Sequence, residues 1–382
     1  MGLSGGMKMT TPVVMEGQSL GAELEARGIT RRTFLTFCAS MTAVLALPSA
    51  FNERIARALE TSEKPSLIWL EFQDCAGNTE SFLRAHDPGV ADIVLDILSV
   101  DYHETIMAAA GIQAEAAKRA ALDAGGHIVV VEGSVPLADG GVYCTIGGKT
   151  AQQHLEEAAD GAAAIINVGT CSSFGGIPAA SPNPTGALGV PEVIKNVPII
   201  NLPGCPMNVD NLLGVIAHYL TFGALPPTDG QGRPLFAYGQ RIHDNCERRA
   251  HFDAGQFALE WGDEGHRKGW CLYRLGCKGP STFHNCPSVQ WNMGTSWPVG
   301  AGHGCVGCSE ADFWDNMSPF YERLPKPPGF GVTTTVEQIG LGVVAATAIG
   351  FGAHGVAKII QHQRSGEAQA PPVDTGEPDG GE

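Results

Sequence analysis

The sequence predicts an α/β fold, a doubly wound parallel sheet followed by a smaller, irregular domain rich in cysteine. Three observations carry this expectation. Short apolar runs alternate with helical patterns up to about residue 225. Three of those runs lead straight into a cysteine. From about Pro226 the periodicity fades while Trp, Pro, Gly and Cys become dense. At 382 residues the chain is long for one core and comfortable for two domains. Its 43% hydrophobic content is enough to offset chain entropy and excludes a disordered protein. Its mean hydropathy near zero argues against a polytopic membrane protein. A net charge of −16, from 24 basic and 40 acidic residues, makes nucleic acid an unsuitable partner, because binding it needs a basic face. Eleven cysteines in a chain that can build a core without staples point to metal or cluster ligation.

In chain order, residues 1–58 read as an export signal region. Thr30-Arg31-Arg32-Thr33-Phe34-Leu35 is a twin-arginine motif, an apolar stretch runs from Phe34 to Leu47, and small residues mark candidate cleavage points after Ala50 and Ala58. That route carries proteins already folded around their cofactors. The segments Ser66–Phe72, His127–Val131, Ala163–Val168 and Val197–Ile200 are short buried-strand candidates, with helices expected over Ile106–Leu122 and Thr150–Ala159. These elements make a domain over residues 62–225.

Three strands end in Asp74-Cys75, Thr170-Cys171 and Gly204-Cys205. In an open parallel sheet the carboxyl ends of the strands share one edge, so three thiols distant in sequence converge there. Gly77, Gly169, Gly175 and Gly204 beside them leave room for a bulky inorganic ligand to approach backbone. Zinc is the nearest rival, but it usually recruits paired Cys-x-x-Cys knuckles, which this half lacks.

Residues 226–330 form the second domain, built around cofactors rather than a large core. His243-x-x-Cys246, with Cys271 and Cys277, makes a group of four; Cys286 with Cys305-x-x-Cys308 makes a group of three. Groups of four and three suit two iron–sulfur clusters better than one metal. Disulfides are the alternative in an exported protein.

Ile339–Ala357 is a run of 19 residues without Asp, Glu, Lys or Arg, close to the ~20 needed to cross a bilayer. A transmembrane anchor is therefore expected over 336–360, and Lys358 and Arg364 put the C-terminus in the cytoplasm and the body outside. His354 within the span is either a polar residue near the interface or a contact to a membrane haem partner. Residues 361–382 are Gly/Pro/Glu-rich and read as a disordered tail.

With these residues in view, the chain resembles the small subunit of nickel–iron hydrogenases over nearly its whole length. The motifs are the twin-arginine leader, Asp74-Cys75-Ala76-Gly77 with Thr79-Glu80-Ser81-Phe82, Gly169-Thr170-Cys171, Pro203-Gly204-Cys205-Pro206, His243-x-x-Cys246 and Cys305-Val306-Gly307-Cys308. The resemblance implies a flavodoxin-like first domain holding a proximal 4Fe–4S cluster on Cys75, Cys171 and Cys205. It further implies a distal 4Fe–4S cluster on His243, Cys246, Cys271 and Cys277, and a medial 3Fe–4S cluster on Cys286, Cys305 and Cys308. It places the nickel–iron centre in a separate large subunit, and implies a membrane cytochrome b or other quinone-linked acceptor and a higher oligomer of heterodimers. Hydrogen oxidation on the periplasmic side of the membrane is the implied activity. A hydrogen-sensing module on the same scaffold and a non-catalytic exported metal or disulfide protein are the alternatives.

One departure stands out. The family's first motif carries a second cysteine where this chain has Asn78, so the fourth proximal ligand is open between Asp74, Asn78 and Cys144. An oxygen ligand in place of a thiolate predicts an unusual proximal potential. Gly77 and Gly176 occupy what look like the positions of two extra cysteines found in oxygen-tolerant relatives, so that device is absent. Glu80 is a candidate for a proton path at the subunit interface, or a plain solvated carboxylate.

Overall fold

The computed structural model describes residues 31–61, 64–86, 89, 98–324 and 336–367. The described residues up to 324 form one compact unit, and those from 336 a second.

The first unit is organised by five strands, β1 (Ser66–Glu71), β2 (Ser99–His103), β3 (Ile128–Glu132), β4 (Ala164–Val168) and β5 (Ile199–Leu202). They form one sheet of order β2-β1-β3-β4-β5, and every neighbouring pair is parallel. This is the doubly wound order of flavodoxin-like folds, as the sequence predicts. Side chains alternate between faces with period two. Leu67, Trp69, Ile128, Val130, Ile166 and Val168 pack on one side, and Ile68, Leu70, Val129, Val131 and Ile165 on the other.

β2 has no counterpart among the expected strands. Its Ser-Val-Asp-Tyr-His sequence is polar because it lies at the sheet edge, where Asp101 accepts hydrogen bonds from Ser66 and Ser99 hydroxyls. The expected helix over 106–122 begins instead at Ile112, after Gly111 in a left-handed conformation (φ 55°). The expected helix at Thr150 is found over Ala151–Ala159, started by a reciprocal cap between Thr150 and Gln153.

Against the first face of the sheet lies the helix Val209–Phe222, capped by the Asn208 side chain and ended by Gly223. The helices Arg31–Val44 and Asn52–Thr61 pack on it, burying Phe37, Met41, Ile55 and Leu59. Gly214 makes room there, since a Cβ would stand 3.2 Å from Val44 Cγ1. Ala50 is exposed in a short turn, whereas Ala58 lies inside the second of these helices. Residues 1–30 of the export signal region fall outside the described residues.

Between residues 226 and 324 the helices are all short, of one turn or little more, α or 3-10. The second unit contains a helix over Val336–Glu367, and its Val343–Gln361 stretch is apolar, exposed and long enough to span a bilayer. The expected disordered tail from 361 is corrected in its first seven residues, which continue the helix to Glu367. The turn of Gln, His, Gln and Arg after the apolar run supports helix as readily as coil. The rest of that tail lies outside the described residues.

Candidate metal centres

The carboxyl ends of β1, β4 and β5 lie on one edge of the sheet and carry the first group of cysteines. Cys75 sits between β1 and the helix Gly77–Leu83, Cys171 in the first turn of Gly169–Phe174, and Cys205 just past β5. Burial pushes the Cys171 thiol up to about 11 and that of Cys205 to about 12, and the charges of neighbouring cysteines, Cys75 included, add to both. Such thiols give up their protons readily only to a bound cation.

Of the four glycines expected to admit a cluster, Gly77 does abut sulfur, with a Cβ placed there standing 3.2 Å from Cys75 Sγ. Gly169, Gly175 and Gly204 admit protein instead. A Cβ at these positions would strike the Asn78 amide, Ala179 Cβ and the Pro206 carbonyl, each at 2.6 Å or less. Gly176 is a second glycine against sulfur, 2.6 Å from Cys171 Sγ by the same measure.

The candidates for a fourth ligand differ in what already holds them. Asn78 is buried, and its whole amide is used. Oδ1 accepts from Met207 N–H at 2.8 Å, and Nδ2 donates to Glu132 Oε1 at 3.1 Å. Asp74 is exposed beside Cys75 and accepts one hydrogen bond, from Ala76 N–H at 3.1 Å. Its carboxyl is raised to about 6 by desolvation and then by the charge of Glu132, with Glu71 adding to it. Cys144 is half-buried among apolar side chains and its thiol is pushed up to about 11, first by desolvation and then by Glu104 and Asp74.

Glu132 is the residue that sequence reasoning missed. It ends β3 fully buried and accepts from the N–H groups of Asn78 and Thr79 at 2.8 and 2.9 Å. Thr79 Oγ1 stands 2.7 Å from both Glu132 and Glu71. One donor atom each from Glu71, Asp74 and Glu132 lies within 4.8 Å of the others. A carboxylate closing the run Val129-Val130-Val131 was the available signal, because acids are rarely buried without a task. Glu80 is exposed and pairs loosely with Arg84 at 4.0 Å, on the wall of an open groove.

All four members of the second group line a single small pocket, together with Ile242, Leu272 and Val299. His243 is set by a 3-10 turn and packed edge-on against Phe252 at 4.5 Å. Burial, reinforced by the Arg249 charge, pushes its pKa down to about 4, so the imidazole is neutral with a lone pair to donate. The thiols of Cys246, Cys271 and Cys277 are all raised by burial.

In the third group Cys286 opens a one-turn helix, and Cys305 and Cys308 flank Gly307, whose N–H donates to Cys305 Sγ at 3.3 Å. Cys308 lies within electrostatic reach of both other thiols.

The groups lie in series. Cys205 lies within electrostatic reach of Cys308, linking the first group to the third. Cys305 N–H donates to Cys277 Sγ at 3.2 Å, linking the third to the second. Thr170 braces the first junction, accepting from Gly204 N–H at 2.9 Å and donating to the Cys308 carbonyl. None of the eleven cysteines is in a disulfide, so the disulfide alternative has no bridge to rest on. Cys38 is buried against the sheet-side core, away from the three groups.

The chain is similar to known proteins over most of its length. Residues 238–321 match the C-terminal family of the NiFe/NiFeSe hydrogenase small subunit, and residues 75–219 match the NADH ubiquinone oxidoreductase 20 Kd subunit family. The quinone-reactive Ni/Fe-hydrogenase small chain of Wolinella succinogenes is 47% identical, over 88% of this chain and 98% of the relative. The periplasmic nickel–iron hydrogenase small subunit 1 of Nitratidesulfovibrio vulgaris is 50% identical, over 79% of this chain and 96% of its own. Among solved structures, the reduced, active nickel–iron–selenium hydrogenase of Desulfomicrobium baculatum superposes with a TM-score of 0.64 at 36% identity, covering 68% of this chain and 100% of that one. The actinobacterial-type nickel–iron hydrogenase of Ralstonia eutropha H16 shares the fold, with a TM-score of 0.65 at 23% identity, over 84% of this chain and 95% of the other. The chain belongs to the small subunits of nickel–iron hydrogenases, which carry iron–sulfur clusters and transfer electrons for a large subunit that holds the nickel–iron centre.

Proposed function

We propose that this chain conducts electrons from hydrogen oxidation through three clusters in line to a membrane acceptor, a cytochrome b or another quinone-linked protein. The observation that carries the reading is the serial adjacency of the three sulfur groups: Cys205 lies within electrostatic reach of Cys308, and Cys305 N–H donates to Cys277 Sγ at 3.2 Å. The proximal 4Fe–4S set is Cys75, Cys171 and Cys205, the medial 3Fe–4S set Cys286, Cys305 and Cys308, and the distal 4Fe–4S set His243, Cys246, Cys271 and Cys277. When bound, such clusters supply one-electron carriers whose potentials follow ligand charge and hydrogen bonding. The donor chemistry fits. Each site offers thiols that burial disfavours as free anions, and the distal one adds a neutral imidazole lining the same pocket.

Asp74 is the fourth proximal ligand in this reading. Both polar atoms of Asn78 are committed to Met207 and Glu132, whereas the Asp74 carboxylate stands beside Cys75 and keeps negative charge on the iron. The apolar Val343–Gln361 helix supports an anchored enzyme with its body in the periplasm, exported by the twin-arginine route, rather than a cytoplasmic sensor. Assembly into an oligomer of heterodimers belongs to the same proposal.

Redox-titrated EPR with iron and sulfide counting on the purified two-subunit enzyme tests the whole reading. It should find about twelve irons, eleven in the small subunit's clusters and one in the nickel–iron centre, with one 3Fe signal and two 4Fe signals. Asp74→Ala should alter the proximal signal alone. Asn78→Ala should retain that signal and lose about 1–3 kcal/mol of stability, because Glu132 and Met207 N–H lose a buried partner. A proximal signal indifferent to Asp74→Ala would reject the carboxylate ligand.

A further inference from the structure

The medial set just proposed leaves one neighbouring side chain without a task. His284 is 3% exposed, and its Nδ1 lies 3.0 Å from Cys286 Sγ. Tyr238 meets the ring edge-on at 5.0 Å and Trp291 lies nearly parallel at 6.5 Å, so the imidazole plane is held from two sides. Its backbone N–H is tied to the Gln240 carbonyl at 3.2 Å. Its Nε2 is buried without a hydrogen-bond partner. A neutral imidazole carries a single N–H.

That N–H has two places to sit, and iron binding chooses between them. As long as Cys286 is a thiol, its S–H can donate to a bare Nδ1. A thiolate bound to iron has lost that proton. A bare Nδ1 would then set its lone pair against sulfur lone pairs, while the orphaned Nε2 carried an unsatisfied donor. Moving the proton to Nδ1 removes both penalties and leaves only a bare acceptor at Nε2. Cys305 shows the same pattern, accepting from Gly307 N–H at 3.3 Å. That donor belongs to the backbone and is present whatever the sequence. The neighbour at Cys286 is a side chain, so sequence can set it.

Resting on the medial assignment, we infer that His284 is a potential-setting residue: its Nδ1–H donates to the Cys286 thiolate and raises the reduction potential of the medial cluster. An added electron increases the charge on the sulfurs, so an N–H aimed at one of them stabilises the reduced state more than the oxidised one. A medial carrier set higher holds electrons longer and so controls passage between its two neighbours.

The experiment uses the intact two-subunit enzyme, titrating the 3Fe EPR signal against potential in the wild type, His284→Leu and His284→Asn. His284→Leu should shift the medial midpoint to lower potential and leave the other two clusters unmoved. His284→Asn, whose amide nitrogen lies as far from the backbone as Nδ1, should restore part of that shift. Pulsed EPR of the oxidised wild-type cluster with 15N-labelled histidine should show a nitrogen coupling that both variants lack. A 3Fe signal with an unchanged midpoint in His284→Leu overturns the inference. If that variant fails to assemble, a wild-type spectrum without histidine coupling overturns it equally. A wild type with no 3Fe signal at all would instead bring down the medial assignment on which it stands.

Discussion

The two halves of the first unit hold the same kind of sulfur in opposite ways. In the sheet half, Val129, Val130, Val131 and Ile165 are completely buried, and the fold is made by apolar strands. Its three grouped cysteines stand outside that packing, with Cys75 and Cys205 exposed at the strand ends. In the half after residue 226, the apolar cluster is Ile242, Ala258, Leu272, Leu275, Trp297 and Val299, with Cys286 and Cys305 inside it and Cys246 and Cys277 against it. There the thiols are part of the core. A parallel sheet presents its ligands ready-made, whereas a chain of one-turn helices depends on its cofactor to be a fold.

This contrast predicts its largest effect on metal removal. Binding free energy at a site absent from the unfolded chain is folding free energy. Stripping iron with a chelator under reducing conditions should abolish amide-exchange protection across residues 242–308 while leaving β1, β3, β4 and β5 protected. A second half that kept its protection without iron would break the comparison. The complementary change is Ile166→Ala in β4, which is 1% exposed. It should cost about 2–5 kcal/mol in denaturant unfolding, with the medial and distal signals intact in the folded protein.

A smaller effect sits behind the acidic edge. Burial, then the charge of Glu71, raises the Glu104 carboxyl to about 7. Between its ordinary value and that raised one, the folded state binds more protons than the unfolded state. The contribution of this group is therefore fully present at acid pH and is lost as pH rises toward 7. Glu104→Gln should flatten that part of the stability profile and leave the mutant relatively more stable at pH 8 than at pH 5. A profile identical to the wild type would mean that the carboxyl is not held in its acid form.

Much of this architecture was legible in the chain. Val129-Val130-Val131 and Ile165-Ile166 announce buried strands because a parallel strand is apolar on both faces. Cysteines directly after such runs must share an edge. β2 was not legible, since an edge strand of Ser, Asp and His has no apolar signature and exists only through its pairing with β1. Nor were the roles of Gly169 and Gly204, because a glycine beside a cysteine reads the same whether it admits a cluster or a neighbouring side chain. Asn78 shows the same limit. Its position suggests a ligand, and only the surrounding contacts with Met207 and Glu132 reveal a residue already in use.

The finest distinction between the halves falls on the open groove beside the proximal cysteines, where Glu80 stands. Its side chain is 65% exposed and its partner Arg84 64%, at a separation of 4.0 Å. Water screens such a pair, so Glu80→Gln should change stability by no more than about 0.5 kcal/mol. Substitution therefore isolates function from folding at this position. If the carboxylate only solvates the surface, turnover and its solvent isotope effect should match the wild type. If it passes protons across the face toward the large subunit, turnover should fall several-fold and the isotope effect should rise, with all three cluster potentials unmoved. Those unmoved potentials are the decisive control, because a change that reached the proximal cluster through the helix Gly77–Leu83 would shift the proximal signal and mark Glu80 as a structural residue of the sheet edge.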